Sequence, residues 1–218
     1  MPQNESSILI LKPTPHFISL IASQIPEAEL PEFDLLQTDN TAYSIRKCET
    51  EEAVLDEIEH FFPLMFEHES SRLIGEKLSG RISGTFLDFL CCFKFELHTE
   101  VMLLESCIDN GHQVLCVKPR SVVLNWLKTP QEDQINISDL LEDTIDMSHF
   151  TENTTVLVKN FDNLSQITPF IKHNYQPIVQ AEMVRLSDEA EYCPVVNSFK
   201  IFSRYFDVEM HSHLVHLH

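Results

Sequence analysis

The stretch Thr85-Phe-Leu-Asp-Phe-Leu-Cys-Cys-Phe-Lys-Phe-Glu-Leu-His-Thr-Glu-Val-Met-Leu-Leu-Glu-Ser-Cys-Ile-Asp-Asn-Gly111 can be read in two ways, and the choice decides the fold. Phe86, Leu90, Phe93, Leu97, Val101, Leu104 and Ile108 recur at steps of three and four, the spacing of one apolar helix face. Asn110-Gly111 would then cap its C-terminus, and His112 to Lys118 would be the next strand. Against this, Phe93 to His98 alternates apolar and polar residues, and Asp109-Asn-Gly is a hairpin signal, so 85–111 is helix or hairpin. Seven positions in one helical register outweigh six alternating ones. The spacing predicts a long amphipathic helix.

Working outward, Ile8-Leu-Ile-Leu11 reads as a buried strand ended by Lys12-Pro13, and Phe17 to Ile25 has helical spacing. Phe33–Leu36 and Tyr43–Arg46 are expected to pair as strands. Thr50 is a good N-cap, followed by Glu51 and Glu52, where acids favour the helix dipole. Val54, Leu55, Ile58, Phe61 and Phe62 form the apolar stripe of that helix. Glu52, Asp56, Glu57 and Glu59 fall mostly on its remaining face, and Pro63 should break or kink it. Later segments alternate: short helices at 121–127 and 139–147, a strand at 155–159, a helix at 164–171, and strands at 177–186 and 198–210. The order predicts an α/β or α+β fold, one globular domain over 1–218 with a mixed β-sheet flanked by amphipathic helices. A subdivision could fall near 129–137. No repeat is apparent.

The chain is strongly acidic. Its 34 Asp and Glu face 15 Lys and Arg, for a formal charge of −19, while 43% of its residues are hydrophobic. That apolar content is enough for a folded core. The acids cluster between Glu27 and Glu69, and again between Glu132 and Glu152, where no Lys or Arg occurs. Such a charge opposes phosphate backbones and anionic lipid and attracts basic protein surfaces. No nucleic-acid partner is expected. No run of eighteen apolar residues suggests a membrane span, and no signal-like segment opens the chain. The six cysteines follow no disulfide-framework spacing, so reduced core thiols in a cytoplasmic protein are the expectation.

Each candidate for chemistry has a plainer explanation. His211, His213, His216 and His218 are the conspicuous constellation. In a strand His211 and His213 share one face and His216 and His218 the other, so neither pair closes a tetrahedral metal site. Cys107, His112 and Cys116, with Cys91, Cys92 and His98 near in sequence, contain ligand types without a C-x2-C pair. Gly75 to Ile82 echoes a phosphate loop, but Arg81 replaces the Lys and Ile82 the hydroxyl residue. Lys77 and Arg81 within it, with Arg72 just before it, read as a salt-bridging island. Glu142-Asp143-Thr-Ile-Asp146 reads as the solvated face of a short helix. No nucleophile motif occurs. Neither a catalytic residue nor a cofactor is therefore expected.

What remains is a protein that binds protein. Glu51, Glu52, Asp56, Glu57 and Glu59 form one candidate docking surface, and Asp139, Glu142, Asp143 and Asp146 another, each suited to a basic partner. The whole-chain profile, small, acidic, glycine-poor and without a catalytic motif, resembles the acidic adaptor-chaperones of bacterial effector secretion, among them the LvgA type of type IVB coupling complexes. That resemblance implies a partner subunit and effector cargo; no functional residue is carried over from it. Two other readings stay open: a small metal-dependent enzyme using the His and Cys clusters, and an immunity- or antitoxin-like inhibitor of a basic protein.

Overall fold

The computed structural model describes residues 6–48, 50–99, 101–103, 112–123, 154–159, 161, 163–187 and 195–217. They form an α+β fold with two mixed four-stranded sheets, where one sheet was expected. The chain divides into two compact units, Met1–Leu97 with His211–His218, and His98–Met210. The expected boundary near 129–137 lies outside the described residues.

In the first unit, β1 (Ser6–Pro13) and β2 (Thr41–Arg46) pair antiparallel, from Ser6 opposite Arg46 to Leu11 opposite Thr41. β3 (Phe93–His98) lies on the other side of β1, and β8 (Leu214–His216) pairs parallel with β2. The helices are α1 (Pro15–Gln24), α2 (Phe33–Leu36), α3 (Glu51–Ile74), α4 (Glu76–Ser79) and α5 (Phe86–Cys92). Leu9, Leu11, Phe17, Ile21, Tyr43, Ile45, Ile58, Met65, Phe66, Phe89 and Phe93 make its core. The second unit orders its strands β7 (Phe206–His211), β5 (His112–Pro119), β6 (Thr154–Lys159) and β4 (Val101–Leu103). It carries α6 (Ile167–Ser187) and α7 (Phe199–Tyr205).

The two units are copies of one pattern, which corrects the expectation that the chain has no repeat. β5 and β6 pair antiparallel from His112 opposite Lys159 to Val117 opposite Thr154, the register of β1 and β2. β4 pairs parallel with β6, Val101 opposite Thr155, just as Leu214 stands opposite Ala42; both members are displaced by 113 positions (155 against 42, 214 against 101). From Ile58 to Ser70 and from Ile171 to Met183, buried and exposed positions follow in the same order, residue for residue. Side-chain packing repeats too. Phe62 meets Phe86 and Phe89 at 5.4 and 5.8 Å, and Tyr175 meets Phe199 and Phe202 at 6.3 and 6.1 Å. Lys12 pairs with Glu96, and Lys118 Nζ lies 2.7 Å from Glu209 Oε2. The α5 and α7 N-termini are each capped by a hydroxyl, from Thr85 and Ser198. The sequence trace is sparse: Phe86, Phe89, Phe93, Glu96 and His98 recur as Phe199, Phe202, Phe206, Glu209 and His211.

The repeat explains the misread stretch. There is no long helix over 86–108; α5 ends at Cys92 and β3 begins at Phe93. The apolar steps from Phe86 to Phe93 are helical, but Phe93, Phe95 and Leu97 continue at the period of a strand. The alternation of Phe93 to His98 is that of the strand β3, which lies in a different sheet from β4, and Asp109-Asn-Gly111, the expected hairpin turn, lies outside the described residues. Phe33–Leu36 is a helix rather than a strand, and β2 pairs with β1 instead. Residues 177–186 lie within helix α6, and 199–205 form α7. The core tolerates a proline inside each long helix, Pro63 in α3 and Pro177 in α6, and neither helix is interrupted. Pro63 is exposed, lacks an N–H, and deprives the preceding turn of one hydrogen bond. Pro63→Ala is therefore expected to stabilise the protein by about 1 to 2 kcal/mol, read as a higher urea midpoint with an unchanged slope; a lower midpoint would refute this.

Candidate functional site

Helix α3 carries the first acidic cluster. Thr50 caps it, its side chain accepting from the Ala53 N–H at 3.2 Å, and Glu51 and Glu52 occupy the first turn. Its inner face is Ile58, Met65 and Phe66, with Val54, Phe61 and Phe62 half-buried. Two expectations are corrected here. Leu55, placed on the apolar stripe, is 46% exposed. Glu57, placed among the docking acids, is buried, and its Oε1 pairs with the guanidinium of Arg46 at the end of β2. A carboxylate on the side facing the sheet needs that countercharge to be buried at tolerable cost.

The outer face is continuous. Glu52, Leu55, Asp56, Glu59, His60, Pro63, Leu64 and Glu67 are all exposed, at helical neighbour spacing. Glu51 is exposed beside them. Leu55 and Leu64, the latter 57% exposed, set two apolar projections in an acidic ridge. From residue 52 to 67 the ridge runs about 22 Å at 1.5 Å per residue. α6 is the control within the same molecule. Its equivalent outward positions are Thr168, Pro169, Lys172, His173, Gln176, Pro177 and Gln180, without one acid. The fold thus requires this face to be exposed but does not require it to be acidic.

Behind the ridge lies a buried polar network. The Tyr43 hydroxyl donates to Glu69 Oε1 at 2.8 Å and lies 3.0 Å from His68 Nδ1. Arg72 Nε approaches Glu69 Oε2 at 3.6 Å, and Arg72 Nη1 donates to the Asp39 carbonyl at 2.8 Å. Burial alone would raise the pKa of Glu69; its contact with His68, the charge of Arg72 and the Tyr43 hydrogen bond outweigh that and hold it below the usual carboxylate range. Burial, followed by the neighbouring Glu69 charge, pushes the Tyr43 phenol well above its ordinary value. The basic island is accounted for in part: Arg72 serves this network and Arg81 pairs with Glu27.

The other candidates separate. His211 is buried, its Nδ1 3.0 Å from the Asn40 carbonyl oxygen, while His213 and His216 are exposed; His218 lies outside the described residues. Of the cysteine candidates, Cys91 is exposed and Cys92 buried, where burial raises its thiol pKa to about 12. Cys116 lies 3.7 Å from His98 Nε2, a contact that the spacing of a single long helix concealed, and Cys107 is not among the described residues. Among the described residues no group of three or more His, Cys, Asp and Glu is placed to hold a metal. Asp139, Glu142, Asp143 and Asp146, the second docking candidate, also lie outside them. No helix of the described residues is long and apolar enough to cross a membrane. Comparison of the chain with family models, with curated proteins and with solved structures finds no match.

Proposed function

We propose that the chain is a non-enzymatic adaptor that holds a basic amphipathic segment of a partner protein along the outer face of α3. The carrying observation is the contrast between the repeats. Equivalent faces are equally exposed, yet only α3 combines acids at positions 52, 56, 59 and 67 with exposed leucines at 55 and 64. Charge steers the partner and fixes its orientation, and Leu55, one turn from Glu52 and from Glu59, supplies an apolar anchor beside the acids, while Leu64, half a turn further around the helix, lies on the opposite flank of the ridge. The complementary segment is a helix with Lys or Arg repeating at steps of three and four along one face and a large apolar residue beside that stripe to meet Leu55. This is the behaviour of an adaptor-chaperone in a secretion complex, with a basic subunit or cargo as occupant.

The test uses a labelled synthetic helix of that pattern and a permuted peptide of identical composition. Fluorescence anisotropy against the full chain is expected to give tighter binding of the patterned peptide, weakening as salt rises from 50 to about 300 mM. Equal affinity for the two peptides would reduce the ridge to a non-specific acidic coat. Salt-independent binding would remove the electrostatic part of the proposal.

A further inference from the structure

The helices of the second unit carry the opposite charge to α3. Cations are scarce in this chain, 15 Lys and Arg against 34 acids, and Lys12, Arg46, Arg72, Arg81, Lys118 and Arg120 each lie against a carboxylate. Lys172 on α6 and Lys200 and Arg204 on α7 do not. All three are exposed, and none meets a carboxylate among the described residues. The sequence of the two helices contains one acid, Glu182, and it is buried.

These cations surround an aromatic joint. Tyr175 of α6 meets Phe199 and Phe202 of α7 at 6.3 and 6.1 Å, and Tyr175 and Phe199 are only half-buried. Lys172 lies one helical turn before Tyr175; Lys200 follows Phe199, and Arg204 lies one turn beyond it. The first unit again supplies the comparison. Shifted by 113 positions, Lys172, Lys200 and Arg204 correspond to Glu59, Leu87 and Cys91, which are exposed as well. The ring joint there is the same, Phe62 against Phe86 and Phe89. The architecture thus requires exposure at these three positions and does not require positive charge.

We propose that the α6–α7 joint docks an acidic segment of a partner protein. Its carboxylates meet Lys172, Lys200 and Arg204, and a large apolar side chain lies over the exposed edges of Tyr175 and Phe199. Arg204 can take a carboxylate through two parallel N–H donors. A short acidic helix suits the patch better than a nucleic acid does. A duplex carries a charge about every 1.7 Å along its length, and a chain of formal charge −19 repels what extends beyond the three cations. Screening over about 8 Å keeps the attraction local to them. The inference does not rest on the α3 reading. With both faces in use, the chain links a basic protein to an acidic one.

The test uses the full chain and a labelled synthetic helix with Glu at steps of three and four along one face and a phenylalanine beside them. Fluorescence anisotropy should show binding to the native chain. Lys172→Gln, Lys200→Gln and Arg204→Gln combined should weaken it about tenfold at an unchanged urea midpoint. Lys47→Gln, Lys77→Gln and Lys94→Gln combined, all exposed in the first unit, lower the net charge by the same three units and should leave the affinity within about twofold. An equal loss in the two variants would reduce the effect to net charge and overturn the docking site. No binding to the native chain would overturn it too, as would tighter binding of a thymidine oligonucleotide than of the Glu helix. The basic helix that probes α3 plays no part in this measurement, so each reading fails by itself.

Discussion

Replacing Glu69 with alanine is expected to destabilise the protein by about 3 kcal/mol at neutral pH, because it breaks a buried ionic network from the inside. Glu69 is 3% exposed and accepts from the Tyr43 hydroxyl, itself fully buried. Removing the carboxylate takes the charged acceptor from that hydroxyl and leaves it only His68, strips Arg72 of a countercharge and opens a small void beneath α3. Glu69→Gln keeps an acceptor for Tyr43 and fills the space, so its loss should be about 1 to 2 kcal/mol. The two variants also differ from the native chain in their response to acid. A carboxyl whose pKa is depressed in the folded state contributes stability that is fully present above its unfolded value, about 4.3, and is lost as pH falls through the folded value. Urea midpoints of the native chain and of the Glu69→Gln variant, measured from pH 7 down to pH 3, should therefore converge as the acid is protonated. A gap that stays constant over this range would place the contribution of Glu69 in packing rather than in charge.

How far the sequence reveals the fold can be judged at particular residues. Ile8–Leu11 is a buried strand because nothing but burial accounts for four successive aliphatic residues, and the Thr50 cap with its two following acids is local chemistry that tertiary structure has no reason to override. The stretch from Phe86 misleads because aromatic residues serve helix and strand alike. Phe93 closes the face of α5 and opens that of β3, so the two periods share a residue and the helical count runs on past its end. Glu57 misleads for another reason: its burial depends on Arg46, which a helical wheel cannot supply. The repeat stays hidden because the pattern that recurs is one of burial and register. Tyr43 corresponds to Val156 and His68 to Ala181, so the buried network of the first unit has no full counterpart in the second, although Glu69 recurs as the buried Glu182. The acidic ridge was visible in the composition. Its two leucines were not, because Leu55 fits an apolar stripe equally well until the packing of α3 on β2 fixes the rotation of the helix.

Reversing Glu52, Asp56 and Glu59 together to lysine should reduce the affinity of the patterned basic helix about hundredfold, which corresponds to about 2.7 kcal/mol. All three are exposed and lie along one side of α3 with Leu55 among them. Each reversal replaces an attraction with a like-charge contact, and such contacts suppress binding strongly where the rim is partly desolvated. The fold should survive. None of the three is buried, and the cost of moving positive charge into the first turns of the helix is about 0.3 to 1 kcal/mol for Glu52 and less for the residues further in. Leu55→Ser leaves the charge untouched and removes the anchor, so it should weaken the patterned peptide about tenfold while leaving the slope of affinity against salt unchanged. The two variants thus separate steering from anchoring. Lysine substitution of Gln176 and Gln180 on α6 changes the net charge by +2, against +6 for the triple variant, and serves, per unit of charge, as the control for bulk charge, since those positions match Pro63 and Glu67 in burial. If that control weakens the peptide as much per unit of charge as the α3 triple does, the binding responds to net charge alone. If the triple variant binds normally while folded, the ridge is a solvated coat and the docking site lies elsewhere.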